Sequence, residues 1–201
     1  MVGACTRKLI PGAGTAIIAR MSKQYAQIDN DLAAWIARQR VFFVATAPLS
    51  VEGHINVSPK GGETLRVLGP LEVAYQDYTG SGAETVAHLR ENGRIVIMFC
   101  AFEGPPKIVR LHGRGTVVTA EHPGFGEMAA RFPAHAGTRA FVRVAVSRVS
   151  DSCGHGVPLM EFRAERDMLT RWAAGLGPEK LEAYRAAKNA RSIDGLPAFE
   201  R

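Results

Sequence analysis

Two short segments carry the residue types that bind phosphate-bearing ligands. The first, His54-Ile-Asn-Val-Ser-Pro-Lys-Gly61, alternates apolar and polar residues, so that Asn56, Ser58 and Lys60 share one face before a turn expected over Pro59 to Gly62. The second, Tyr78-Thr-Gly-Ser-Gly82, leads from a strand-like run into a helix. Free backbone N–H groups and the local dipole at a helix N-terminus favour an anion. Lys60 adds a compact cation that can pair with phosphate. Taken alone, Asn56 and Ser58 fit the solvent face of a half-buried strand equally well, Thr79 and Ser81 fit a turn and a helix cap, and Arg110 and His112 fit a polar barrel face.

The elements that must position these residues are short strands. A helix capped by Asp29 or Asn30, with Leu32, Trp35 and Ile36 at helical spacing, is expected to end near Arg40. Four strands follow, Val41 to Ala47, His54 to Ser58, Thr64 to Leu68 and Leu71 to Asp77, each bounded by Gly or Pro. Glu84 to Glu91 reads as a helix with Ser81 as its cap and Asn92-Gly93 as its stop. Ile95 to Phe102, Ile108 to Thr119 and Ala140 to Val149 complete a set of seven strands, the last with Val142, Val144 and Val146 opposite Arg143, Ala145 and Ser147. Seven strands with one interior helix predict a closed antiparallel barrel, because parallel pairs need a crossover each. Two helices, Met160 to Ala173 and Pro178 to Ala190, are expected at the end, Leu169, Trp172 and Leu176 giving an apolar spacing that packs on the barrel or on a neighbouring subunit.

Composition sets the limits. A chain of 201 residues, 46% hydrophobic and 22% charged, buries a full core. Its domains are read as a flexible basic extension over 1–22, a barrel over 23–150 and a helical tail over 151–201; Met21 is the expected opening of the folded part. No apolar run approaches a membrane span, and the three scattered cysteines Cys5, Cys100 and Cys153 match a reducing cytoplasm better than a disulfide framework. The net charge of +6 is uneven. Residues 1–23 hold four basic residues and no acids, while 24–159 hold 13 basic against 12 acidic. A nearly neutral body without a basic reading element excludes a nucleic-acid partner.

Two other chemistries are weighed and set aside. Cys153 and His155 lack the spacing of a zinc site, so no metal is expected. Gly80-Ser-Gly-Ala-Glu-Thr85 is a near miss of the dinucleotide fingerprint, but four strand candidates precede it without a helix between them, which a βαβ series forbids.

In order and spacing, Phe42-Phe-Val-Ala-Thr-Ala47, Ile55-Asn-Val-Ser-Pro-Lys-Gly61, Tyr78-Thr-Gly-Ser-Gly82 and Val109-Arg-Leu-His-Gly113 resemble the FMN-binding split barrel of the pyridoxamine 5'-phosphate oxidase-like group over residues 28–150. The tail, with Ser152-Cys-Gly-His-Gly-Val-Pro158, resembles an uncharacterised branch of that group. The resemblance implies a mainly β fold with flanking helices and a homodimer holding FMN in a cleft between subunits. It implies cofactor contacts from Ile55, Asn56, Val57, Ser58 and Lys60, from Tyr78, Thr79 and Ser81, and from Thr85 beside Glu84. Relatives that oxidise vitamin B6 carry basic residues where this chain has Glu84 and Thr85, and bear a substrate-phosphate-binding tail that this chain lacks. The expected activity is therefore that of an FMN oxidoreductase acting on a different small substrate or on reduced pyridine nucleotide, with no catalytic acid or base identified. The alternative is a non-enzymatic carrier of flavin, deazaflavin or haem.

Overall fold

The computed structural model describes residues 22–199. The predicted extension over 1–22 thus lies, but for its last residue, outside the described residues. Eight strands form one antiparallel sheet: β1 (Gln24–Tyr25), β2 (Val41–Thr46), β3 (Asn56–Gly61), β4 (Leu65–Gly69), β5 (Glu72–Tyr78), β6 (Arg94–Cys100), β7 (Ile108–Val118) and β8 (Thr138–Ser152). The order is β3-β2-β6-β7-β8-β5-β4, with β1 added to β8. The helices are α1 (Asn30–Ala37), α2 (Glu84–Asn92), α3 (Phe125–Ala129) and α4 (Met168–Lys188).

Alternation along the strands builds the core. Phe42 and Val44 of β2, Val73 and Tyr75 of β5, Ile97 and Phe99 of β6, and Val142 and Val144 of β8 turn inward and are buried. Each such side chain contributes about 2 kcal/mol of transfer free energy. The rings of Phe42 and Tyr75 meet edge to face, with centroids 5.8 Å apart, although β2 and β5 stand four steps apart in the sheet. The sheet must therefore curl around one core. The expected closed barrel is corrected in one respect: the sheet order ends at β3 and β4, with no ladder between them. The barrel is split along that line.

The local differences from expectation have physical causes. Pro59 does not open a turn; it lies within β3, opposite Phe43. Among the described residues β3 pairs only with β2, and an edge strand tolerates a residue that lacks an N–H. Helix α1 begins as expected, with the Asp29 carboxylate accepting from the Leu32 N–H at 2.8 Å. Helix α2 stops at Gly93, whose φ of 71° is the left-handed conformation that glycine supplies. Ser81 does not cap α2. The cap position is Ala83, without a side-chain bond, and Ser81 is exposed. The chain before it is held by side chains instead, the Gly80 carbonyl accepting from Asn189 and the Gly82 carbonyl from Arg139.

The tail departs furthest. Residues 160–167 are not helical, because the Met160 N–H donates to the Phe102 carbonyl at 2.9 Å and the Phe162 N–H to the Glu103 carboxylate at 3.0 Å. Helix α4 starts at Met168 and breaks at Gly177, so Pro178 does open a helical turn. Beyond α4, Ala198 is buried against Ala83, Val86 and Ala87 of the α2 region. Gly154, with φ 69°, lets the backbone after β8 approach Lys107; a Cβ there would stand 2.7 Å from the Lys107 nitrogen.

Candidate functional site

Beside the split, a cavity of about 1470 Å³ is lined by residues of β3 and β5. Ser58 and Lys60 line it from one face of β3 and Pro59 from the other, with Tyr78 at the end of β5 and Thr85 on the first turn of α2. Segment 160–166 and Leu169 of α4 supply part of the opposite wall.

The electrostatic centre is a carboxylate that the sequence reading did not single out. Asp77, 1% exposed, receives Lys60 Nζ at 2.9 Å on Oδ1 and Arg139 Nε at 2.7 Å on Oδ2. Burial alone would push its carboxyl up, but the two cations and their hydrogen bonds hold it below the usual carboxylate range. Two cations on one carboxylate leave a net positive charge, and both Lys60 and Arg139 line the cavity. Arg139 also donates to the Gly82 carbonyl at 2.8 Å, which fixes the turn before α2.

A second set of contacts fixes that turn from the far side. Thr79 is fully buried; its hydroxyl donates to the Gly137 carbonyl at 2.9 Å and accepts from Arg185 Nε of α4 at 2.8 Å. The Tyr78 ring stacks on His135 with centroids 3.8 Å apart. His135 Nδ1 accepts from the Gly137 N–H at 3.0 Å, so Nε2 is the nitrogen that carries hydrogen toward Thr170 Oγ1, also at 3.0 Å. Burial lowers the His135 pKa, which keeps this neutral arrangement.

Of the residues expected to hold a cofactor, Ser58, Lys60, Tyr78 and Thr85 lie together on the cavity wall. Asn56 stands behind them, bonded to Thr85 Oγ1 at 2.9 Å and to Ser58 Oγ at 3.0 Å. Thr79 supports the turn from within. Ile55, just before β3, and Val57 within it are 75% and 60% exposed, and Ser81 is exposed; none of the three lines the cavity. Glu84 lines it and accepts from the Ile193 N–H of the C-terminal segment at 3.3 Å. Asp77, one residue before the end of β5, offers only the signal of a charge within a strand, and no local pattern marks Arg139, 62 residues away.

An antiparallel sheet curled around one core, split along one line and flanked by helices, defines a split-barrel protein. The chain belongs to the pyridoxamine 5'-phosphate oxidase family, whose model, described as "Pyridoxamine 5'-phosphate oxidase", matches residues 28–153. It is 38% identical over 192 residues to the pyridoxamine 5'-phosphate oxidase family protein ustO of Aspergillus flavus, covering 87% of this chain and 77% of that one. Among solved structures it is similar to a HupZ variant of Group A Streptococcus, with a TM-score of 0.50 and 23% identity over 62% of this chain and 98% of the other. An FMN-binding protein of Syntrophomonas wolfei aligns with a TM-score of 0.42 and 13% identity, over 65% of this chain and 84% of that one.

Proposed function

We propose that this protein binds FMN in the split of its barrel and acts as an oxidoreductase on a small substrate or on reduced pyridine nucleotide. The observation that carries this reading is the Lys60–Asp77–Arg139 cluster at the cavity wall, net positive and placed beside the hydroxyls of Ser58 and Thr85. The residues suit such a group. Cations and hydroxyls meet a phosphate or polyol, and Tyr78, braced by His135, offers a flat apolar surface to a ring. The cavity exceeds the roughly 300–1,000 Å³ of an ordinary ligand pocket, which leaves room for a second reactant.

Bound there, FMN would supply hydride or electron transfer, while the chain positions it and limits access. Lys60 would hold either the phosphate or the reducible edge of the ring. In this reading residues 23–150 form the flavin-binding domain and 151–201 cover it. The exposed Ile55 and Val57 would be covered by a second copy in a homodimer.

Titrating the purified chain with FMN tests the proposal through flavin fluorescence and melting temperature; a colourless protein with no response would overturn it. Anaerobic addition of NADH and NADPH then separates reductase from carrier, since a carrier leaves the bound flavin oxidised.

A further inference from the structure

A polar chain runs from the cavity wall into the interior. Ser58 Oγ donates to Asn56 Oδ1 at 3.0 Å; Asn56 Nδ2 donates to Thr85 Oγ1 at 2.9 Å and to Thr46 Oγ1 at 3.3 Å; Thr46 Oγ1 lies 3.0 Å from His88 Nδ1. His88 is fully buried, and its Nε2 has no partner among the described residues. Five residues on β2, β3 and α2 thus link an orphaned imidazole nitrogen to two hydroxyls that face the cleft.

With the Asn56 amide as placed, one assignment of hydrogens runs through the whole chain. The amide gives both hydrogens to threonine hydroxyls, Thr46 keeps its own hydrogen to donate, and His88 Nδ1 is the acceptor within reach among the described residues. His88 is then the tautomer with hydrogen on Nε2. Thr85 Oγ1 accepts from Asn56, and its hydrogen has no acceptor among the described residues. Ser58 has committed its hydrogen inward, which leaves its lone pairs for the cleft. Reversing the amide would reverse each of these roles and demand the opposite histidine tautomer. Burial lowers the His88 pKa against the opposing carboxylates of Asp194, Glu91 and Glu84, so the ring is neutral with a single N–H, and the amide as placed assigns that hydrogen to Nε2.

We infer that His88 is a positioning residue: through Thr46 and Asn56 it makes Ser58 an acceptor and Thr85 a donor toward a ligand group that both donates and accepts, a hydroxyl or an imide. The inference rests on the proposed flavin site for its ligand, since a polyol chain and an imide edge are such groups, but not for its network.

Two measurements test it. In the wild-type apo chain, nitrogen NMR of the imidazole, assigned through loss of the signal in His88→Gln, should show a pyrrole-type Nε2 and a pyridine-type Nδ1; the reverse tautomer overturns the inference. In FMN titration, Thr46→Val should weaken binding about tenfold and Thr46→Ser should restore it to within about twofold. A valine variant that binds like the wild type also overturns it. Failure of the wild type to bind FMN would remove the flavin reading alone, because the tautomer then decides the network, as it does if Thr46→Val does not fold.

Discussion

Lys60 Nζ stands 2.9 Å from Asp77 Oδ1, across the line where the barrel has no ladder between its edge strands β3 and β4. One ion pair therefore ties edge strand β3 to β5 and faces the cavity. Arg139 completes the arrangement on the other carboxylate oxygen, itself only 6% exposed. Pairs of this kind couple stability to ligand binding, since each partner left alone is a buried, unbalanced charge.

Replacing the shared carboxylate should be costly. Asp77→Asn leaves two cations facing each other in a buried place and is expected to destabilise the fold by about 3 kcal/mol, read from denaturant unfolding at pH 7. The sign of the pH dependence follows from the lowered Asp77 pKa. A depressed carboxylate contributes stability above its unfolded value of about 4, and this is lost as pH falls through the folded value, so the gap between wild type and variant should narrow in acid. A gap that stays constant down to pH 3 would contradict the assignment.

Removing one cation should affect binding more than folding. Lys60→Ala keeps Asp77 paired with Arg139, so the circular dichroism spectrum should be unchanged while FMN affinity falls about tenfold. An unchanged dissociation constant would take Lys60 out of the site.

Helix α4 should matter to the turn before α2. Arg185→Leu removes bonds to Thr79 Oγ1 at 2.8 Å and to the Thr138 carbonyl at 3.1 Å. Hydrogen exchange over 78–82 should rise, with a stability loss of about 1–2 kcal/mol. Protection equal to wild type would show that the helix does not hold the turn.

The core contains a hydroxyl without a partner among the described residues. Tyr75 OH is buried and unbonded to any of them, and burial pushes its pKa well above the usual tyrosine range. Tyr75→Phe should leave stability unchanged or raise it by about 1 kcal/mol in thermal unfolding, because the orphaned group costs desolvation and returns no bond. A clear loss of stability would mean that the hydroxyl is satisfied in solution.

The sequence by itself determined seven of the eight strands and their inward faces, but neither the two-residue β1 nor the short α3. Alternation in Val142, Val144 and Val146 against Arg143, Ala145 and Ser147 is a property of period two, and the structure buries the first set and exposes the second. The order of Ile55-Asn-Val-Ser-Pro-Lys-Gly61 and Tyr78-Thr-Gly-Ser-Gly82 likewise identified the family before any coordinate. Ends of elements were less legible, since the Ser81 cap and the helix at 160–167 lost to carbonyl and N–H partners far along the chain. Only the tertiary structure decided which polar groups meet. Asp77 with Arg139, Thr79 with Arg185, and Thr46 with His88 are pairs separated by 62, 106 and 42 residues. A local pattern reports which face a side chain takes, but the partner it finds there depends on how the sheet curls, and that is set by packing of the whole core.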